Sequence, residues 1–424
     1  MSGKMKLTVR DFEDKNFLRT IEEGSADRAA FTHYLHNPDN GVSDTFKKGA
    51  TEFVKTFMEY KKVSEDITDE IAENTLQFVL RLDAEQPVFP AKKNHLFTFI
   101  DLFAGIGGFR MAMQNLGGKC VFTSEWDKYS KQTYAANYGE IPFGDITLGS
   151  VKEHIPGSFD VLCAGFPCQA FSIAGKRGGF EDTRGTLFFH VAEIIKKHQP
   201  KAIFLENVKG LMHHDRGKTL ATILNVLRND LGYFVPDPEI ADAKNFGVPQ
   251  KRARVFIAGF RGNLNIDSFE YPLPTNTEVR FGEIREKEVV SPKYYLSAQY
   301  LKTLKEHRAR HESKGQGFGY EIIPDHGVAN AIVCGGMGRE RNLVHDDRLT
   351  DFQPVTNIKG EINREGIRKM TPREWARLQG FPDEFVIPVS DAQAYKQFGN
   401  SVAVPAIQEM AKEILKKINV NVNR

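Results

Sequence analysis

The chain has 424 residues, 41% hydrophobic and 26% charged, which suits two or three soluble domains with a large core. Its 57 Lys and Arg against 55 Asp and Glu leave a net charge of +2, so any footprint for a nucleic acid must be local rather than global. No apolar run reaches the ~18 residues of a membrane span, the start lacks a signal peptide's apolar core, and the four cysteines form neither a CxxC pair nor a His/Cys metal spacing, a pattern expected of a metal-free protein in a reducing cytoplasm.

Residues 1 to about 94 read as a helical extension. One helix is expected over Ala26 to His36, stopped by Asn37-Pro-Asp-Asn-Gly41, and a second over Asp44 to Val63 with Phe46, Phe53, Phe57 and Met58 as its apolar stripe. Ser64 can cap a third, running to about Leu82 with Ile67, Ile71, Phe78 and Leu82 inward. Pro87 to Asn94 has the composition of a linker. The extension reads either as an appendage packed on the main body or as a separate module, and it holds no basic recognition helix.

From Leu96 strands and helices alternate. Phe97 to Phe103 is an expected strand, Ala104-Gly-Ile-Gly-Gly108 a turn suited to glycine, and Phe109 to Leu116 a helix closed by Gly117-Gly118. A second strand, Lys119 to Ser124, ends at Glu125, 20 residues after Gly105, which is the spacing at which an acid takes ribose hydroxyls. After a helix from Tyr129 to Tyr138, Asp145 is expected at the tip of a third strand. The glycines run Gly105-x-Gly107-Gly108 and not GxGxxG. A dinucleotide's pyrophosphate is therefore disfavoured, and S-adenosylmethionine, an adenosine ligand without one, fits better.

Phe159 to Ala164 reads as a buried strand running into Gly165-Phe-Pro-Cys-Gln-Ala-Phe-Ser172. Cys168 then sits in a loop at a strand's carboxyl end, where open α/β sheets bind ligands, next to Pro167, which stiffens the backbone. It is either a nucleophile or a small buried hydrophobe. A helix over Thr186 to His198 and a strand over Lys201 to Leu205 follow, with Glu206-Asn207-Val208 at the strand's end. A carboxylate there can act on a ligand or merely cap. Leu220 to Leu231 is the next expected helix, and Val255 to Gly259 the next strand. Ahead of it, Gln250, Arg252 and Arg254 alternate, so the two arginines are expected on one face, either solvated or forking a carboxylate or a base oxygen.

From about Arg261 to Lys369 the alternation stops, and Gly, Pro, Tyr and charged residues dominate. Gly335-Gly-Met-Gly-Arg-Glu-Arg-Asn-Leu343 offers arginines on loops that can reach base edges, or a merely solvated subdomain. Thr371 can cap a helix from Pro372 to Gln379, and a last amphipathic helix runs from Pro405 to Ile418.

Taken together, Asp101-Leu-Phe-Ala-Gly-Ile-Gly-Gly108, Gly165-Phe-Pro-Cys-Gln-Ala-Phe-Ser172, Glu206-Asn-Val208, Gln250-Lys-Arg-Ala-Arg254, Arg373-Glu-Trp-Ala-Arg-Leu-Gln-Gly-Phe-Pro382 and Gln397-Phe-Gly-Asn-Ser-Val402 resemble the ordered motifs of the bacterial cytosine-5 DNA methyltransferases of restriction–modification systems. The resemblance runs from about Phe97 to Ile418. Gly317-Phe-Gly-Tyr-Glu-Ile-Ile323 and Gly335 to Leu343 are most similar to members whose target is CCGG, modified at its inner cytosine.

The resemblance implies an α/β fold, a Rossmann-like methyltransferase core with a mostly parallel sheet (95–270 and 371–424) and a smaller loop-rich target recognition domain (271–370); the helical extension (1–94) lies largely outside it. It implies S-adenosylmethionine as methyl donor, S-adenosylhomocysteine as product and no metal. It also implies duplex DNA as substrate, a monomeric enzyme and a cognate restriction endonuclease acting on the same site. Phe103, Gly105 and Gly107 would surround the donor's methionine part, with Ile146 and Pro167 also lining the site. Glu125 would take its ribose hydroxyls, Trp126 would stack on adenine, Asp145 would accept the adenine amino group, and Asn400 and Val402 would close the pocket. Cys168 would add to C6 of the cytosine, Glu206 would act at N3, Arg254 would hold O2, and Arg252 would orient Glu206 or a phosphate. Gln169, Ser172, Arg339 and Arg341 would contact DNA, with the target base flipped out of the stack. The rival readings are a tRNA cytosine-5 methyltransferase, a DNA-binding protein without turnover and, disfavoured by the displaced glycine, a nicotinamide dehydrogenase.

Overall fold

The computed structural model describes residues 7–21, 25–37, 42–63, 67–81, 87–167, 187–275, 277–315, 319–334, 339–352 and 360–421. The chain divides into two units, one of Met1–Glu239, Val255–Glu270 and Ala411–Arg424, the other of Ile240–Arg254 and Tyr271–Met410. Among the described residues no helix is long and apolar enough to cross a membrane.

After two short helical turns, Val9–Glu13 and Lys15–Leu18, the first unit holds helices α1 (Ala26–His36), α2 (Ser43–Tyr60) and α3 (Asp69–Arg81). Phe12, Phe31, Phe53 and Phe57 pack together, with ring centroids 4.4 Å apart for Phe12 and Phe57 and 4.9 Å for Phe12 and Phe31. Each such buried ring contributes roughly 1.5–3 kcal/mol of transfer free energy, which lets helices this polar hold a core of their own. The apolar stripe expected on α2 is the buried one. That on α3 is not: Ile71 and Phe78 are exposed, while Ala72, Leu76 and Val79 face inward. α3 starts only at Asp69, and Ala72, Leu76 and Val79 form the i, i+4, i+7 row that shares its buried face. Ser64 and Leu82 lie outside the described residues.

Next come β1 (Phe97–Leu102), α4 (Gly108–Asn115), β2 (Gly118–Ser124), α5 (Lys128–Tyr138), β3 (Val161–Ala164), α6 (Leu187–His198), β4 (Ala202–Val208), α7 (Lys218–Asn225), β5 (Tyr233–Phe234) and β6 (Ala253–Arg261). They supply six of the central sheet's seven strands, in the order β2-β1-β3-β4-β6-β5. β2, β1, β3 and β4 are mutually parallel, and β5 runs antiparallel to β6. These strands read as unbroken apolar runs because a parallel sheet is covered on both faces. Local signals set the helix ends: Asp127 caps α5 by accepting the N–H of Ser130 at 2.9 Å, and Gly139, at φ 72°, ends it.

Four expectations change here. The third strand at Asp145 is only a single bridge between Phe143 and Ser124. Glu206 to Val208 continue β4 and do not follow it. The helix expected over Leu220 to Leu231 ends at Asn225 and passes into a wider turn over Val226–Asp230. The expected linker is packed, since the N–H of Phe89 reaches the carbonyl of Asn137 at 3.0 Å.

The second unit holds a small sheet of β7 (Glu321–Ile322), β8 (Asn342–His345) and β9 (Ile367–Lys369), with β8 parallel to β7 and antiparallel to β9. α8 (Ala298–Glu312) packs Leu301 and Leu304 with Leu296, Leu343 and Ile367. Arg368 is wholly buried between Asp346, at 2.9 Å, and Glu374, at 2.8 Å. Those two carboxylates offset the cost of burying its charge. Glu374 also closes a capping box with Thr371 at the start of α9 (Pro372–Leu378). α10 (Asp391–Asn400) follows, and then α11 (Val404–Lys417), whose residues from Ala411 onward belong to the first unit.

Candidate active site

Register decides where the functional side chains emerge. Leu102 is level with Ser124 and with Ala164, and Ala164 with Leu205. The next residues, Phe103, Glu125 and Gly165 just past their strands and Glu206 still within β4, therefore stand along one rim, toward the carboxyl ends of parallel strands.

The glycine turn follows β1. Phe103 has φ 57°, a left-handed conformation that a bulky residue adopts only when its surroundings enforce it. Gly105 (φ 56°) faces open space: a Cβ there would meet nothing within 4 Å. Gly107 (φ 85°) is the opposite case, because a Cβ would lie 2.3 Å from Cε2 of Tyr138, whose hydroxyl donates to the Gly107 carbonyl at 2.8 Å. Glu125 is 8% exposed and accepts two backbone N–H bonds at 2.8 Å, from Gly105 to Oε2 and from Asp127 to Oε1. Burial nonetheless raises its pKa above the ordinary carboxylate value. Beside it the indole of Trp126 is 80% exposed, unusual for a residue that normally buries most of its ring. Asp145 is half-buried and accepts the N–H of Thr147 at 2.9 Å, while Ile146 is buried.

Glu206 sits near the end of β4 and is 8% exposed. A Cβ on Gly165 would lie 3.5 Å from its Oε2 and from Phe109, in ordinary van der Waals contact, so the loop after β3 passes close to the carboxyl. Asn207 donates to the carbonyl of Phe166 at 2.8 Å, which fixes the backbone entering Pro167. Cys168, Gln169 and Ser172 lie outside the described residues.

In the second unit Arg252 lies between two strands rather than along one. Its buried guanidinium donates to the carbonyls of Ile332 (2.9 Å), Gly399 (3.0 Å) and Ser401. Arg252 therefore positions the segment that carries Asn400 and Val402. Arg254 is half-buried, and one of its amino groups reaches the carbonyl of Ala253 at 2.9 Å. Asn400 is exposed and accepts the thiol of Cys334 at 2.7 Å; Val402 is half-buried. Arg339 and Arg341 are both exposed, with the Arg339 guanidinium 5.7 Å from the ring of Tyr395.

Three contributors escaped the sequence reading. Asn207 and Asp101 each stood inside a quoted motif without a role. Asp101 is wholly buried in β1, where burial pushes its carboxyl up to about 8 despite the nearby Arg110; a carboxylate inside an apolar strand run was the available signal. Arg110 is buried and forks Glu140 at 2.6 and 2.9 Å. No pattern in the sequence pairs those two.

Comparison with known proteins matches residues 97–416 to the model of the C-5 cytosine-specific DNA methylase family. The type II methyltransferase M.HpaII of Haemophilus parainfluenzae is 73% identical over 322 residues, covering 76% of this chain and 90% of the relative. M.HhaI of Haemophilus parahaemolyticus is 40% identical over 333 residues, covering 76% and 95%. The crystal structure of the S. pombe Dnmt2 methyltransferase shares the fold, with a TM-score of 0.57 at 16% identity over 76% of this chain and 99% of that one.

Proposed function

The chain belongs to the C-5 cytosine-specific DNA methylases and is a DNA cytosine-5 methyltransferase; from that premise we propose that it methylates the inner cytosine of CCGG in duplex DNA as a monomer, protecting the DNA from a cognate restriction endonuclease. The target is supported by the wording of Gly317–Ile323 and Gly335–Leu343 and by the 73% identity to M.HpaII. Within this reading residues 95–270 and 371–424 carry catalysis, and 271–370 reads the target.

S-adenosylmethionine supplies an electrophilic methyl group when bound. The residues present suit it: Gly105 leaves open space at the turn, a buried acid stands beside it in Glu125, and Trp126 offers an exposed ring. Phe103, Gly105 and Gly107 hold the methionine part, Glu125 the ribose, and Trp126 and Asp145 the adenine. Ile146, Pro167, Asn400 and Val402 complete the lining.

Cytosine C5 is a weak nucleophile. Addition of the Cys168 thiolate to C6 forms an S–C6 bond and turns C5 into an enamine-like carbon that takes the methyl group. Glu206 draws electron density toward N3 by sharing a proton with it, a role that its buried position suits. Arg254 holds the base at O2. Removal of the C5 proton by a base then expels the thiolate. The face of C6 is reachable only outside the stack, so the target base is flipped. Gln169, Ser172, Arg339 and Arg341 contact the DNA.

The rim shared by Phe103, Glu125, Gly165 and Glu206 is the observation that supports this reading most. The test is a duplex with one CCGG site, radiolabelled methyl donor, and protein with Cys168 or Cys168→Ser. Label on the inner cytosine, absent with the serine protein, is the expected result. Label on another sequence overturns the target, and label with the serine protein overturns the nucleophile.

A further inference from the structure

We propose that the N-terminal helices brace the donor half of the site, and that α1 and α2 set the affinity for the methyl donor by holding the segment Gly139–Ile146. This rests on the reading that Glu125 and Asp145 bind the donor. Residues 26–60, which form α1, α2 and their connection, lie outside the stretch matched to the family, 97–416.

The contacts are specific. The Thr32 hydroxyl accepts the N–H of Ile141 at 3.0 Å while donating to Ala29 O at 2.9 Å, so both its capacities are used. The ring of His33 lies 4.8 Å from that of Phe143, and its Nε2 is 3.7 Å from Glu140. His36 presses on Gly139, where a Cβ would lie 2.6 Å from Cε1. From α2, Phe46 stacks on Phe143 with centroids 5.9 Å apart, and Phe143 stacks in turn on Phe122 of β2 at 5.1 Å.

Phe143 is where this packing reaches the site. Its N–H donates to Thr123 O and its carbonyl accepts the N–H of Glu125, each at 2.9 Å, and Asp145 follows two residues later. A second route runs through Glu140 to Arg110, whose guanidinium lies 4.9 Å from the ring of Tyr138, and from the Tyr138 hydroxyl to Gly107 O. One layer of helix thus supports the ribose acid, the adenine acid and the glycine turn. Small displacements of such groups cost binding because the pocket must be preorganised.

The test uses the full chain and calorimetric binding of S-adenosylmethionine, well below the melting temperature. Thr32→Val, which removes the acceptor without changing shape, is expected to weaken donor binding about 3–10-fold, the scale of one partly buried hydrogen bond. kcat at saturating donor stays unchanged, and Thr32→Ser restores affinity. Phe46→Ala acts in the same direction. Phe53→Leu, in the extension's own core, lowers thermal stability and leaves donor affinity alone. Wild-type affinity in both Thr32→Val and Phe46→Ala, with Asp145→Ala still weakening binding, overturns the brace. Unchanged binding in Asp145→Ala overturns the donor-site reading beneath it.

Discussion

The side-chain amide of Asn207 donates to the carbonyl of Phe166 at 2.8 Å. It ties the end of one parallel strand to the loop that follows its neighbour, two residues before Cys168. The amide thus sets where that loop starts. A misplacement of about 1 Å at a reacting group costs roughly 10²-fold in rate. Asn207→Ala is therefore expected to lower kcat by about that factor while the KM for the methyl donor stays near wild type, as steady-state kinetics would read. An unchanged kcat removes Asn207 from the positioning of the loop.

Gly107→Ala is expected to destabilise the protein by more than the roughly 1 kcal/mol or so typical of alanine at positive φ. The added Cβ would overlap the Tyr138 ring at 2.3 Å, and that ring is fixed by its own hydrogen bond and by the wholly buried site around it. Gly105→Ala, whose Cβ would meet nothing within 4 Å, bears only the backbone cost. Urea midpoints of the two variants measure the difference, with Gly107→Ala the lower.

Asp101 makes stability depend on pH. Its folded pKa, pushed up to about 8 by burial, lies above the unfolded carboxylate value of 3.8. A carboxyl shifted in this direction contributes stability that is full below the unfolded value and is lost as pH rises through the folded one. Asp101→Asn keeps the shape and stays neutral. Its melting temperature relative to wild type is expected to rise between about pH 5 and pH 9, as read by calorimetry at both ends. A constant difference across that range would rule out the titration.

Arg341 is exposed next to the buried Glu340, and its own carbonyl is taken by the N–H of Glu321 at 3.0 Å. The backbone is thereby fixed while the guanidinium is left to solvent. If it reads a guanine, Arg341→Ala weakens binding to the specific duplex by roughly 1–3 kcal/mol and leaves non-specific binding little changed. An equal loss on all duplexes identifies a phosphate contact instead.

The alternation of strand, turn and helix from Phe97 to Phe260 was legible because parallel strands are uniformly apolar and the turns between them need glycine or a capping acid. Gly107 announces itself in this way. So does the tip that carries Glu125, directly after β2, whereas Glu206 proved to lie within β4. The face of α3 was not legible: its sequence offers two apolar rows, and the neighbours in space chose Ala72, Leu76 and Val79 over Ile71 and Phe78. Arg252 was misjudged for a similar reason. Alternation along the chain assigns a side to an arginine, but its guanidinium reached carbonyls 80 to 149 residues away.

The sequence by itself determined the family of this protein, a DNA cytosine-5 methyltransferase, because each motif is a short local run whose identity and order can be read along the chain. Tertiary structure alone decided which groups stand together. Parallel register brought Phe103, Glu125, Gly165 and Glu206 to one rim. Packing joined Thr32 and Phe46 of the extension to the segment before Asp145. Contacts between residues more than a hundred positions apart, such as Thr32 with Ile141, leave no periodic trace in the chain. They arise only when the folding elements bury their faces against one another.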